Sequence, residues 1–220
     1  MTAAGVQRPR GTEPGRAELP RLRLGGLRLV RLHVASRGAP VALAVLAACG
    51  VVLRAALHWN WVPHPDPQQL PLALEAGTAM VIAVATRSPF GEPERATGRW
   101  LPCLRLGTAV ALTAAAAGAL AAGSAAAGLP DGALAMLRNT AGLAGVALLS
   151  AAVLGGSLGW TGPVLYWALS EFAMFLYWQT PWTWAARPPR DHGAALCAAA
   201  VFAAGLAVIT VRGARDSTRE

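Results

Sequence analysis

The chain has 220 residues, 55% of them apolar, and a formal net charge of +8. Its charges crowd into a few short stretches between long runs of alanine, leucine and glycine, which excludes a soluble globular domain and describes a polytopic membrane protein. All nineteen basic residues are arginine; no nucleic-acid recognition pattern accompanies them, so membrane topology rather than nucleic acid explains the excess.

In chain order, residues 1–18 are rich in Gly, Pro and Arg and read as a disordered tail. Residues 19–37 mix Leu with Arg in a way suited to the headgroup region, interrupted by Gly25-Gly26. Six apolar segments of spanning length follow, at approximately 39–58, 70–87, 105–127, 138–159, 163–181 and 193–211. No alternating strand pattern is present, so an all-α fold is expected: a six-helix transmembrane domain over 38–212, ending in a short charged tail, 213–220. Leu46-Ala47-Ala48-Cys49 looks like a lipoprotein processing box. The leader before it is too long and more spans follow, so Cys49 reads as a small packing residue in an uncleaved helix. Cys49, Cys103 and Cys197 are far apart and form no disulfide or zinc pattern.

With both ends inside, the cytoplasmic side holds fifteen arginines. The outside holds three, Arg138, Arg187 and Arg190, and Arg54 lies within a span. That bias orients a cell-membrane protein with both termini cytoplasmic. Trp59, Trp61, Trp178, Trp182 and Trp184 mark the outer boundary, and Trp100 and Trp160 the inner one.

Two intramembrane carboxylates stand out, because an ionised one near mid-bilayer costs roughly 3 kcal/mol or more. Glu75 lies at a depth similar to Arg54 on the adjacent span, and an interhelical ion pair reconciles both with lipid. Glu171 has no such partner at its depth. A helical wheel puts it beside Trp167, Met174, Phe175 and Trp178, with Ser170 and Tyr177 nearby. This is either an aromatic-lined substrate pathway with one acid or a protonated Glu bonded to a neighbouring helix. His58, His64, Asp66, Asp191 and His192 gather on the outer side. Their spacing matches no metal signature, so they read as polar loop residues, and neither metal nor cofactor is expected. The loop between spans 2 and 3 carries Phe90, Glu92, Pro93, Glu94, Arg95, Arg99 and Trp100, with a short helix expected from Pro93 to Gly98. Such a helix either docks a soluble partner or lies on the bilayer. No phosphate-binding Gly-Lys-Ser/Thr loop, nucleophile elbow, HExxH or CxxC occurs.

This layout resembles the permease subunits of type-two ABC exporters. The resemblance rests on residues 19–37 as connecting segment, 90–104 as coupling helix, Gly159-Trp160-Thr161-Gly162-Pro163 as inner turn and Thr180 to Asp191 as outer re-entrant segment. Leu137-Arg138-Asn139-Thr140-Ala141-Gly142-Leu143 is also similar to the Arg-Asn-x-x-Gly-Leu text that opens span 4 in actinobacterial members. The resemblance implies no catalysis by this chain, a separate ATP-binding subunit docked at Phe90, Glu92, Glu94, Arg95, Arg99 and Trp100, and a second permease copy or homologue completing the pathway. A hydrophobic or amphipathic cargo would be exported. From the residues alone, a small intramembrane enzyme using Glu75 and Glu171 on a lipid or isoprenoid, or a regulatory membrane anchor, stays open beside it.

Overall fold

A computed structural model describes residues 38–59, 69–86, 101–125, 132–178 and 180–214. Six α-helices make up most of this: α1 Ala39–Trp59, α2 Gln69–Ala85, α3 Leu101–Ser124, α4 Gly132–Leu154, α5 Thr161–Phe175 and α6 His192–Arg212. A 3-10 turn spans Trp184–Ala186. No strand occurs among the described residues, and the fold is all-α as expected. The segments 1–18 and 19–37, most of the 213–220 tail and residues 90–100 of the 90–104 region lie outside the described residues, while 101–104 form the first turn of α3.

Helices α1, α3, α4 and α6 are long and apolar enough to cross a membrane, and the chain is membrane-embedded. The other two are shorter, with 17 residues in α2 and 15 in α5. At 1.5 Å per residue they reach about 26 Å and 23 Å, against roughly 30 Å of hydrocarbon. Two helices depart from expectation. α5 stops at Phe175 instead of running to 181, and α4 begins at Gly132 and ends at Leu154, where Gly155 adopts a positive φ of 95° that a helix cannot continue through.

Helix directions follow from the closest approaches. A Cβ on Gly50 of α1 would lie 2.5 Å from the Ala119 carbonyl oxygen of α3, and one on Gly123 would meet Leu53, so α1 and α3 run parallel. Gly145 of α4 abuts Phe202 and Gly205 of α6, with a Cβ on Gly205 only 2.6 Å from the Gly145 carbonyl oxygen. Small residues at these crossings let backbones touch, which matters because lipid supplies no hydrophobic drive for helix association. Glu75 near the start of α2 faces Asn139 near the start of α4. Ala83 and Ala151, farther along, both meet Gly159. Thus α2, α4 and α6 all start at one end of the bundle, where α5 finishes.

α4 is the central helix: 61% of its span is buried, against 22% for α1 and for α6. It packs against α2, α3, α5 and α6. Leu46, Ile82, Leu112, Leu148 and Ile209 form one core around it, and Leu72, Leu143, Tyr166 and Trp184 belong to a second.

Candidate functional site: a buried polar cluster under the segment joining α5 and α6

The site begins where α5 ends. The Trp178 N–H donates to the Ala173 carbonyl at 2.8 Å and the Tyr177 N–H to the Met174 carbonyl at 3.2 Å. These two bonds form a Schellman motif, and they put Tyr177 in the left-handed position (φ 53°) that glycine usually fills. The chain therefore leaves the helix axis and doubles back. Thr183, fully buried, ties the return: its hydroxyl oxygen lies 2.8 Å from the Thr180 carbonyl oxygen and 3.2 Å from that of Trp178.

Trp184 then enters the bundle and is 2% exposed. Its indole stacks on Tyr166 of α5 with centroids 4.3 Å apart at 18°. It lies so close over Gly142 of α4 that a Cβ there would sit 2.6 Å from the ring. The Tyr166 hydroxyl donates to the Trp182 carbonyl at 3.3 Å and accepts from the Ala185 N–H at 3.4 Å. Stacking and the Ala185 bond act on the three-residue turn itself, and the Trp182 bond fixes the chain just before it. We call residues 176–191 the strap.

Arg138 holds its far end. Nη1 donates to the Pro188 carbonyl at 2.7 Å, Nη2 to the Arg187 carbonyl at 3.0 Å, and Nε to Asn139 Oδ1 at 3.1 Å. Arg187 in turn pairs with Asp191. Asp191 caps α6, its Oδ1 accepting from the Ala194 N–H at 2.7 Å. The amide of Ala194 first, and the Arg187 guanidinium after it, hold the Asp191 carboxyl below the usual range.

Behind Arg138 lies Glu75, 1% exposed. The Asn139 side chain and the Arg138 guanidinium both act on it. Neither carboxylate oxygen, however, meets full hydrogen-bond geometry. Asn139 is a polar neighbour of Glu75, and its Oδ1 accepts from Arg138. The buried carboxyl group lies among polar side chains, Asn139 and Arg138, and the Arg138 guanidinium has all three of its nitrogens bonded.

Arg54, expected to pair with Glu75, is exposed; the cation acting on Glu75 is Arg138, from α4. The expectation matched depth along the helices, but Arg54 is directed away from the bundle. The α5 residues also part company. Ser170 is buried, its hydroxyl donating to the Tyr166 carbonyl at 2.9 Å. Trp167 and Met174 pack against the Tyr166–Trp184 core, and Glu171 is half-buried beside them. Phe175, Tyr177 and Trp178 are exposed. Tyr177 and Trp178 leave the face of Glu171, because the helix ends at Phe175 and Tyr177 reverses the chain; Phe175, four residues after Glu171, stays on that face. Trp178 instead meets Trp182 edge to face at 4.9 Å.

Phe90, Glu92, Glu94, Arg95, Arg99 and Trp100 lie outside the described residues, as do His64 and Asp66. Among the described residues, no group of three or more His, Cys, Asp or Glu side chains could hold a metal. Trp184, expected at the outer boundary, and Arg138, expected on the outer side at the start of span 4, are both buried within the bundle. No protein-family model, curated protein or solved structure matches the chain.

Proposed function

We propose that the chain is the permease subunit of an ABC exporter, with six membrane crossings, both termini cytoplasmic and energy supplied by a separate ATP-binding subunit. The observation that carries this reading is the strap. α5 stops short and the chain returns into the bundle through Trp184, fastened by Arg138, at the place where the resembled family has an outer re-entrant segment. The short link between α4 and α5, residues 155–160, agrees with an inner turn there. On this orientation the strap closes the outer end. α5 and α2, both shorter than the hydrocarbon thickness, are accommodated by local thinning of the bilayer.

The α5 residues proposed for the pathway, Trp167, Ser170, Glu171, Met174, Phe175, Tyr177 and Trp178, range from buried to fully exposed on one copy. A second permease copy or homologue would cover the exposed ones and complete a pathway for a hydrophobic or amphipathic compound. ATP-driven closure of the partner would act through the 90–104 loop and shift the balance of inward- and outward-open states.

The test is to purify the tagged chain from its native membranes in mild detergent and identify what accompanies it. An ATP-binding subunit is expected, and Glu94→Ala with Arg95→Ala should release it and abolish transport. Absence of any ATP-binding protein, or a double variant that keeps both complex and transport, overturns the proposal.

A further inference from the structure

Beside the strap's Arg138 anchor, α4 and α6 flank a second feature. They touch backbone to backbone at Gly145, Phe202 and Gly205, and nearer the strap end they line a common hollow. The space between them is a groove of about 540 Å³, within the roughly 300–1,000 Å³ typical of small-ligand sites. Leu134, Leu137 and Ala141 line it from α4, and Ala195 and Ala199 from α6. These positions recur at three- and four-residue spacing, so each helix contributes one continuous face, about 11 Å long over two turns. Ala195 and Ala199 are exposed, as are Leu134 and Leu137. The groove is therefore shallow, apolar and open on the side of a membrane-embedded helix pair.

Its mouth is different. Arg138, Arg190 and His192 border it, against a single acid, Asp191. Both Asp191 oxygens are already held, Oδ1 by the Ala194 N–H and Oδ2 by Arg187. An apolar trough ending at a basic mouth at the start of a membrane helix complements a hydrocarbon chain carrying an anionic head. A soluble ligand would gain nothing from the alanine and leucine walls, and a zwitterionic head would bring its own cation to the basic rim.

We propose that this groove binds one acyl chain of an anionic phospholipid, with the phosphate at Arg190 and His192. The site shares Arg138 with the Glu75–Arg138 cluster, but its occupancy does not depend on an ATP-binding partner. It thus stands or falls independently of the permease reading.

The experiment uses the full chain, purified and delipidated in detergent. Dioleoyl phosphatidylglycerol, dioleoyl phosphatidylcholine and glycerol phosphate are titrated in separate arms, with thermal unfolding as one readout. Mapping of cross-links from a phosphatidylglycerol carrying a photoreactive acyl chain is the other. At a hundredfold excess over Kd, phosphatidylglycerol should raise the unfolding midpoint by about 5 °C or more. Phosphatidylcholine and glycerol phosphate should bind at least tenfold more weakly. Arg190→Gln with His192→Gln should weaken phosphatidylglycerol about fivefold or more. Ala195→Leu with Ala199→Leu, at exposed positions, should fill the trough and remove cross-links to residues 134–141. Equal binding of the two lipids overturns the proposal, as does full reproduction of the shift by glycerol phosphate alone. Wild-type cross-links that avoid α4 and α6 overturn it too, and that readout stands even if a variant fails to fold.

Discussion

Trp184 occupies the space that any side chain at position 142 would need: its indole lies 2.6 Å from where a Cβ on Gly142 would stand. One residue of the strap and one residue of the central helix are thus specified together. Trp184→Ala removes a fully buried ring and should cost about 3–5 kcal/mol. Gly142→Ala pushes the ring, and the strap with it, at about 1–3 kcal/mol. The informative variant is the double one. Once the indole is gone the added methyl has room, so the double variant should be more stable than the sum of the singles by roughly 0.5–3 kcal/mol. Reversible unfolding in mixed micelles measures this; strict additivity would mean that Trp184 does not sit over Gly142.

Arg138 serves two masters, the strap carbonyls at Pro188 and Arg187 and the carboxylate of Glu75. Arg138→Met leaves the Pro188 and Arg187 carbonyls without their donor, which should destabilise by about 1–3 kcal/mol for each. Glu75→Gln leaves the three Arg138 hydrogen bonds in place and should cost less. Combining Glu75→Gln with Arg138→Met should show a coupling energy of about 0.5 kcal/mol or more. A cycle with zero coupling energy would show that the two side chains do not sense each other. The same cycle run with Arg54→Met in place of Arg138→Met should show no coupling.

The contrast between Arg54 and Arg138 shows what was legible beforehand. Hydropathy and helix length located the six helices of the described residues, because both are sums over many residues. Pairing is a property of azimuth as well as depth. Arg54 and Glu75 match in depth, yet only the packed bundle reveals that Arg54 points outward while Arg138 points in. Trp184 was grouped with boundary tryptophans because the Schellman turn at Tyr177, a non-glycine residue in a glycine position, could not be anticipated. Without that turn α5 runs on to 181 and Glu171, Phe175 and Trp178 share a face. The Arg138-Asn139 pair and Gly142 were visible within one short stretch, but nothing in the sequence alone said that the strap returns to them.

Tyr177 is the local conflict in this design. A side chain at φ 53° crowds its own backbone, and the left-handed conformation costs roughly 1–2 kcal/mol for a residue with a Cβ. Because Tyr177 is also highly exposed on the single chain, little packing opposes its removal. Tyr177→Gly should therefore raise the stability of the isolated chain in detergent by about 0.5–1 kcal/mol. If unfolding midpoints instead fall by a similar amount, the ring is held by contacts the single chain does not show. Comparing the variant in detergent and in bilayers separates a backbone gain from loss of an interfacial aromatic anchor.

Asp191 links the strap to α6 and gives it a sign of pH dependence. Its carboxyl is held below the usual range by the Ala194 amide and then by Arg187, so the folded chain binds this proton less readily than the unfolded one. Stability from this group is complete above the unfolded Asp value, about 3.9, and is lost as pH falls through the lower folded value. The unfolding midpoint of the wild type should hold from pH 7 to about pH 5, then drop more steeply toward pH 3 than that of Asp191→Asn. Other carboxylates titrate in both proteins, so the difference between the two curves isolates Asp191. Parallel curves would mean that the capping bond and the Arg187 pair contribute nothing to the folded state, and the strap would then hang on Arg138 and Trp184 alone.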